Sequence, residues 1–175
     1  MSFEFTVKLP IQPYLKKMIA YNREVEPFTL SKGKDIYSEI IYGNLVRHKV
    51  VLPKKMKPKY SETLVIKVPD EFLDSKKFCF SKNRINRIDQ LLRGLFDDRL
   101  YSYLEDHCFG KGDIERHLLL FMEKYKLTED DILLSTLRVQ YLRFRNSLTD
   151  KDLPNFRRSY IPSTPPDEVQ GRLFH

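Results

Sequence analysis

Over residues 3–9 apolar and polar side chains alternate, with Phe3, Phe5, Val7 and Leu9 set against Glu4, Thr6 and Lys8. A period of two with aromatic and β-branched residues predicts a half-buried strand, which Pro10 and Pro13 should end. Tyr14, Leu15, Met18 and Ile19 then follow at helical spacing, and Pro13 suits the first turn of that helix. Asp35 reads as the cap of a second short helix running to Tyr42, stopped by Gly43 and Asn44. Residues 45–52 and 62–68 read as two strands of a hairpin joined by the segment PKKMKPKYS.

After Pro69 the period changes from two to 3.6. Ser81 is placed to cap a long helix whose apolar positions are Ile85, Ile88, Leu91, Leu92, Leu95, Phe96, Leu100, Tyr103 and Leu104. The stripe breaks at FGKG (109–112), and Asp113 opens another helix with Ile114, Leu118, Phe121, Met122 and Tyr125 on one face. A third helix is predicted from Thr128 as N-cap with Asp131 as its reciprocal partner, followed by Leu133, Leu137, Tyr141 and Phe144. Pro154, Pro162, Pro165 and Pro166 make the remainder a poor helix or strand. The predicted class is α+β. A small N-terminal antiparallel sheet with a basic β-hairpin precedes a three-helix cluster and an irregular C-terminal tail. Residues 1–149 read as one domain, strand-rich and basic over 1–69 and helical over 70–149, with a Pro-rich tail at 150–175.

Charge sharpens this division. The chain of 175 residues carries 31 Lys/Arg and 24 Asp/Glu, a net +7. Residues 1–69 hold 13 basic and 6 acidic side chains and account for the whole excess; 70–112, 113–149 and 150–175 are each balanced. No acid occurs between Glu39 and Glu62, a stretch containing Arg47, Lys49, Lys54, Lys55, Lys57 and Lys59. Lysines at the tip of a two-stranded ribbon give sequence-independent affinity for phosphates by releasing counterions. Pro53 and Pro58 would stiffen the loop and reduce the entropy lost on docking. The same lysines would also serve a plain solvated loop that guards a sheet edge.

The segment from Phe121 to Arg145 partly resembles a helix-turn-helix, with Leu127 as the apolar residue of the turn. Met122 stands where a small residue is usual, Lys126 where glycine is usual, and Glu129, Asp130 and Asp131 where bases would be met. Arg138, Arg143 and Arg145 lie toward the other end of this helix and form a second, weaker candidate contact.

Other chemistries find little support. Cys79, Cys108, His107 and His117 lack the paired spacing of a zinc site, and no metal or other cofactor is expected. No P-loop, G-x-G-x-x-G or G-x-S-x-G occurs, and GKG at 110–112 reads as a turn between helices. A tyrosine recombinase would need a basic partner set around Arg116 and His117, and Tyr160 sits in the Pro-rich tail. Asp97–Asp98 and Glu105–Asp106 read as a solvated helix face rather than as catalytic acids, so no enzyme is expected. Two cysteines make no disulfide framework, the first residues lack a signal-peptide pattern, and no apolar run reaches membrane-spanning length; a cytoplasmic protein is expected.

The passages FEFTVKLPIQPYLKKMI and KYKLTEDDILLSTLRVQYLR together are similar to small basic proteins of bacterial phages and other mobile elements, some of them taken to bind DNA. The resemblance implies a DNA-binding or regulatory role and transfers no functional residue. The expected function is therefore non-catalytic nucleic-acid binding, on duplex DNA, as a regulator or accessory factor. The competing expectation is a protein–protein interaction or structural module, binding a further copy of itself or another protein, that uses the aromatic faces and the tail segment SYIPSTPP.

Overall fold

The computed structural model of the chain describes residues 5–21, 27–31, 33–47, 60, 62–69, 78–108 and 113–148. In chain order the elements are β1 (Phe5–Ile11), α1 (Pro13–Ala20), β2 (Phe28–Thr29), α2 (Ile36–Tyr42), β3 (Val46–Arg47), β4 (Glu62–Val68), β5 (Phe78–Cys79), α3 (Lys82–His107), α4 (Ile114–Lys124) and α5 (Leu134–Ser147). Five strands interleaved with two short helices come first and three longer helices follow, giving the expected α+β class. The chain parts into two units, Met1–Arg138 and Val139–His175, with the boundary inside α5. The tail at 150–175 lies outside the described residues.

β4 is the centre of the three-stranded sheet. Leu64, Ile66 and Val68 of β4 are fully buried while Thr63, Val65 and Lys67 between them are half-exposed. The strand order is β1-β4-β2: β1 runs antiparallel to β4 from Phe5↔Val68 to Ile11↔Glu62, and β2 pairs parallel with Ile66 and Lys67. Val7, Leu9 and Ile11 of β1 and Phe28 of β2 join the buried set. β1 continues through Pro10, which the sequence reading took as its end. Pro10 is tolerated because β1 is an edge strand, where alternate backbone nitrogens face away from the neighbour and a missing N–H costs no ladder bond.

The two flanks of the lysine-rich segment are strands, but over the described residues they do not pair with each other. β4 is bordered by β1 along its whole length and by β2 at Ile66 and Lys67. β3 instead pairs antiparallel with β5, through Val46↔Cys79 and Arg47↔Phe78, in a separate two-stranded sheet.

The helices follow their caps. Pro13 starts α1, and the Asp35 carboxylate accepts from the Ser38 N–H at 2.8 Å and from its hydroxyl at 2.7 Å at the start of α2. Ser81 Oγ accepts from the Arg84 N–H at the start of α3. α3 packs against α1, α2, α4 and β1. Ile85, Ile88, Leu92, Phe96, Leu100 and Leu104 are its buried line, while Leu91, counted apolar in the sequence, is 42% exposed on the opposite side.

The last helix departs most from expectation. Thr128 and Asp131 do bond, the Asp131 carboxylate accepting from both the Thr128 N–H (2.7 Å) and its hydroxyl (2.8 Å). They close a turn, however, and α5 begins only at Leu134. There the Glu129 carboxylate accepts from the Leu134 N–H. The connection between α4 and α5 thus covers residues 125–133, too long for the three- or four-residue turn of a helix-turn-helix. Lys126 takes φ 53°, the left-handed conformation that glycine ordinarily supplies.

Candidate nucleic-acid interface

Of the residues singled out from the sequence, Arg47 lies in β3 with its backbone opposite Phe78. Lys49, Lys54, Lys55, Lys57 and Lys59 lie outside the described residues. Arg138, Arg143 and Arg145 are exposed on α5. Arg138 approaches Glu115 of α4 at 3.9 Å, both side chains more than half exposed, a pairing that water and salt weaken.

The β3–β5 ladder brings in residues that sequence reasoning passed over. Between Asp74 and Asp89 no acid occurs, and this stretch carries Lys76, Lys77, Lys82, Arg84 and Arg87. Averaged over 70–112 the signal vanished, because the acids at either end cancel it. The ladder sets this stretch, backbone to backbone, beside the acid-free stretch that contains Arg47. A second link lies nearby, where Arg84 Nη1 donates to the side-chain oxygen of buried Asn44 (3.5 Å), three residues before Arg47. Lys82 and Arg87 are exposed.

The start of α3 adds to the positive field. Its first turn holds no acid. The unpaired N–H groups of a helix N-terminus carry a partial positive charge, so Lys82 and Arg84 raise a potential that is already favourable to anions.

Next to the lysine-rich segment stands a buried polar node. Asp89, 7% exposed, sits on the core face of α3. Its carboxylate accepts from Gln12 Nε2 (3.0 Å), Tyr60 Oη (2.8 Å) and Arg93 Nε (3.0 Å). Tyr60 directly follows Lys59, and Gln12 links β1 to α1, so one carboxylate ties α3 to both places. Tyr14 is close by. Burial pushes its phenol up to about 12, which Arg93 only partly offsets, so Tyr14 stays neutral and offers no base. The node is satisfied and half-screened by Arg93, and these features fit a structural anchor better than a reactive centre.

A shallow depression of about 340 Å³ between α3 and α4 mixes Asp98 and Asp106 with Arg99 and Lys124 and so favours neither sign of ligand. Tyr103 stacks on His107 at 4.3 Å between centroids, and His117 lies 5.9 Å from His107. Among the described residues no group of three or more His, Cys, Asp or Glu is arranged to hold a metal ion, and no helix is long and apolar enough to cross a membrane. No known protein family, curated protein or solved structure matches the chain.

Proposed function

We propose that the chain is a non-catalytic nucleic-acid-binding protein that holds duplex DNA through its phosphates, as a regulator or accessory factor of the mobile-element kind its sequence resembles. The observation that carries this reading is the β3–β5 ladder, which joins two acid-free basic stretches that are remote in sequence. Affinity built from Lys and Arg on phosphates needs such a concentration of charge and needs no reading of bases. Arg47, Lys49, Lys54, Lys55, Lys57 and Lys59 form one part of the contact, Lys82 and Arg87 the added part. Arg138, Arg143 and Arg145 contribute a weaker one. Base reading by the start of α5 has no place in the proposal. Glu129 caps that helix, and Asp131 is engaged by Lys17 and Thr128.

Salt titration tests it. Binding to random-sequence duplex should weaken linearly in log–log form as salt rises, the slope falling by about 0.9 for each phosphate contact removed. Replacing Lys54, Lys55, Lys57 and Lys59 with Gln should flatten the slope by up to about 3.6, and replacing Lys82 and Arg87 by up to about 1.8. No binding at low salt, or a slope that neither set changes, would refute the reading. A tight, salt-insensitive complex with a protein would favour the interaction module instead.

A further inference from the structure

We propose that α4 is a self-association surface, on which two copies of the chain pair through antiparallel α4 helices about a twofold axis between Leu119 and Leu120. The helix has two faces. Ile114, Leu118, Phe121 and Met122 are buried in the fold. The outer face consists of Glu115, Arg116, Leu119, Leu120, Glu123 and Lys124, all exposed. Leu119 is 52% and Leu120 40% exposed, adjacent leucines at the midpoint of the face. Burying them against each other returns the free energy that their exposure withholds.

The charges around these leucines say what covers them. At about 100° per residue, Arg116 and Glu123 fall near the centre line of the outer face, one turn before and one turn after the leucines. Seven residues apart on one helix, they are about 10 Å from each other and cannot pair within the copy. Neither takes part in an ion pair among the described residues. The charges at the edges of the face are already engaged: Glu115 lies 3.9 Å from Arg138, and Lys124 lies over the rings of Tyr103 and Tyr125.

A twofold axis perpendicular to the helix, passing between Leu119 and Leu120, solves this arrangement. It reverses the helix direction while keeping each side of the face on the same side. Arg116 then meets Glu123 of the second copy, and Glu123 meets its Arg116. Leu119 packs on Leu119 and Leu120 on Leu120. The Arg116–Glu123 contact is made twice and the leucine self-contacts lie on the axis, as a closed isologous interface requires. The parallel alternative would set Arg116 on Arg116 and Glu123 on Glu123, so the same charges that favour one orientation disfavour the other. The face is therefore complementary to itself. A helix of 11 residues offers limited area, at the low end of specific interfaces, so the dimer is a weak one that forms at high protein concentration. The pairing does not rest on the nucleic-acid reading and needs no DNA, although Arg138, beside Glu115, borders this face.

Sedimentation velocity on the nuclease-treated full chain, from about 1 μM to 1 mM, reads the equilibrium. The wild type should pass from monomer to dimer with concentration. Arg116→Glu alone and Glu123→Arg alone should each raise the dissociation constant about tenfold or more, because each places like charges together twice. Mixing these two single variants should restore a dimer, now between unlike chains, since both contacts become complementary again. Both substitutions are on exposed positions, and circular dichroism checks that each variant folds. A wild type that stays monomeric throughout, single variants that associate as well as wild type, or a mixture that stays as weak as its components would each overturn the proposal.

Discussion

Asp89 places a carboxylate on a helix face whose neighbours are Ile85, Ile88 and Leu92, and it stays there because three donors surround it. Removing it would leave the Gln12 amide and the Tyr60 hydroxyl part-buried and without this acceptor. Arg93, nearly half exposed, could turn to water. Unsatisfied buried donors cost about 1–3 kcal/mol each. Asp89→Ala should therefore lower unfolding free energy by about 2–4 kcal/mol in urea denaturation. Asp89→Asn, which keeps an acceptor oxygen, should lose clearly less. If Asp89→Ala unfolds at the wild-type midpoint, the node holds nothing together. The residue was legible in part. Its spacing of four from Ile85 and three from Leu92 puts it on the buried face, and an acid at a core position signals a partner. Its partners were not legible, because Gln12 and Tyr60 lie 77 and 29 residues away.

Among the elements, those closed by local chemistry were readable and those chosen by remote partners were not. Asp35, Ser81 and Pro13 set the starts of α2, α3 and α1 within three residues of themselves, and all three were visible in the sequence. β4 was found with its bounds, yet its pairing with β1 and β2 was not. Alternation says which face of a strand is buried and nothing about which strand lies beside it. The start of α5 was misplaced because Thr128 and Asp131 form a closed turn just as well as they begin a helix. That turn is held to α1 by Lys17, which bonds Asp131. Burial works to raise the Asp131 carboxyl, but Lys17 and both Thr128 donors outweigh it and hold it below the usual carboxylate value. A depressed acid stabilises the fold above its unfolded pKa of about 3.9 and loses that contribution as pH falls through its lower folded value. Asp97 runs the other way: burial, with Asp98 beside it, raises its carboxyl, so protonation favours the folded chain. Thermal melts from pH 6 to pH 3 should show Asp131→Asn less stable at pH 6 by about 1 kcal/mol, with a shallower acid loss. Asp97→Asn should have a steeper one. Parallel acid profiles for both variants and wild type would contradict these assignments.

At the scale of the whole molecule, charge was read correctly in the first 69 residues and missed in the next stretch. Block averages hide an acid-free run that is flanked by acids, and only the pairing of β3 with β5 reveals that the two runs adjoin. The pairing has a cost for the unliganded protein. Like charges held side by side repel, and the unfolded chain, in which they drift apart, is relieved of that repulsion. Added salt shortens the reach of this repulsion to about 10 Å at 0.1 M, so it should steady the free fold while loosening the proposed DNA complex. Melting temperature measured from 20 to 500 mM NaCl, values chosen to span about a fivefold change in screening length, should rise for the protein alone. With duplex present it should start higher and fall toward the same curve. A free protein whose melting temperature drops across that range would mean that the adjoining basic runs are not strained. Ionic strength thus acts on this fold as a competing partner, doing for the seam between β3 and β5 what DNA would do in the proposed complex.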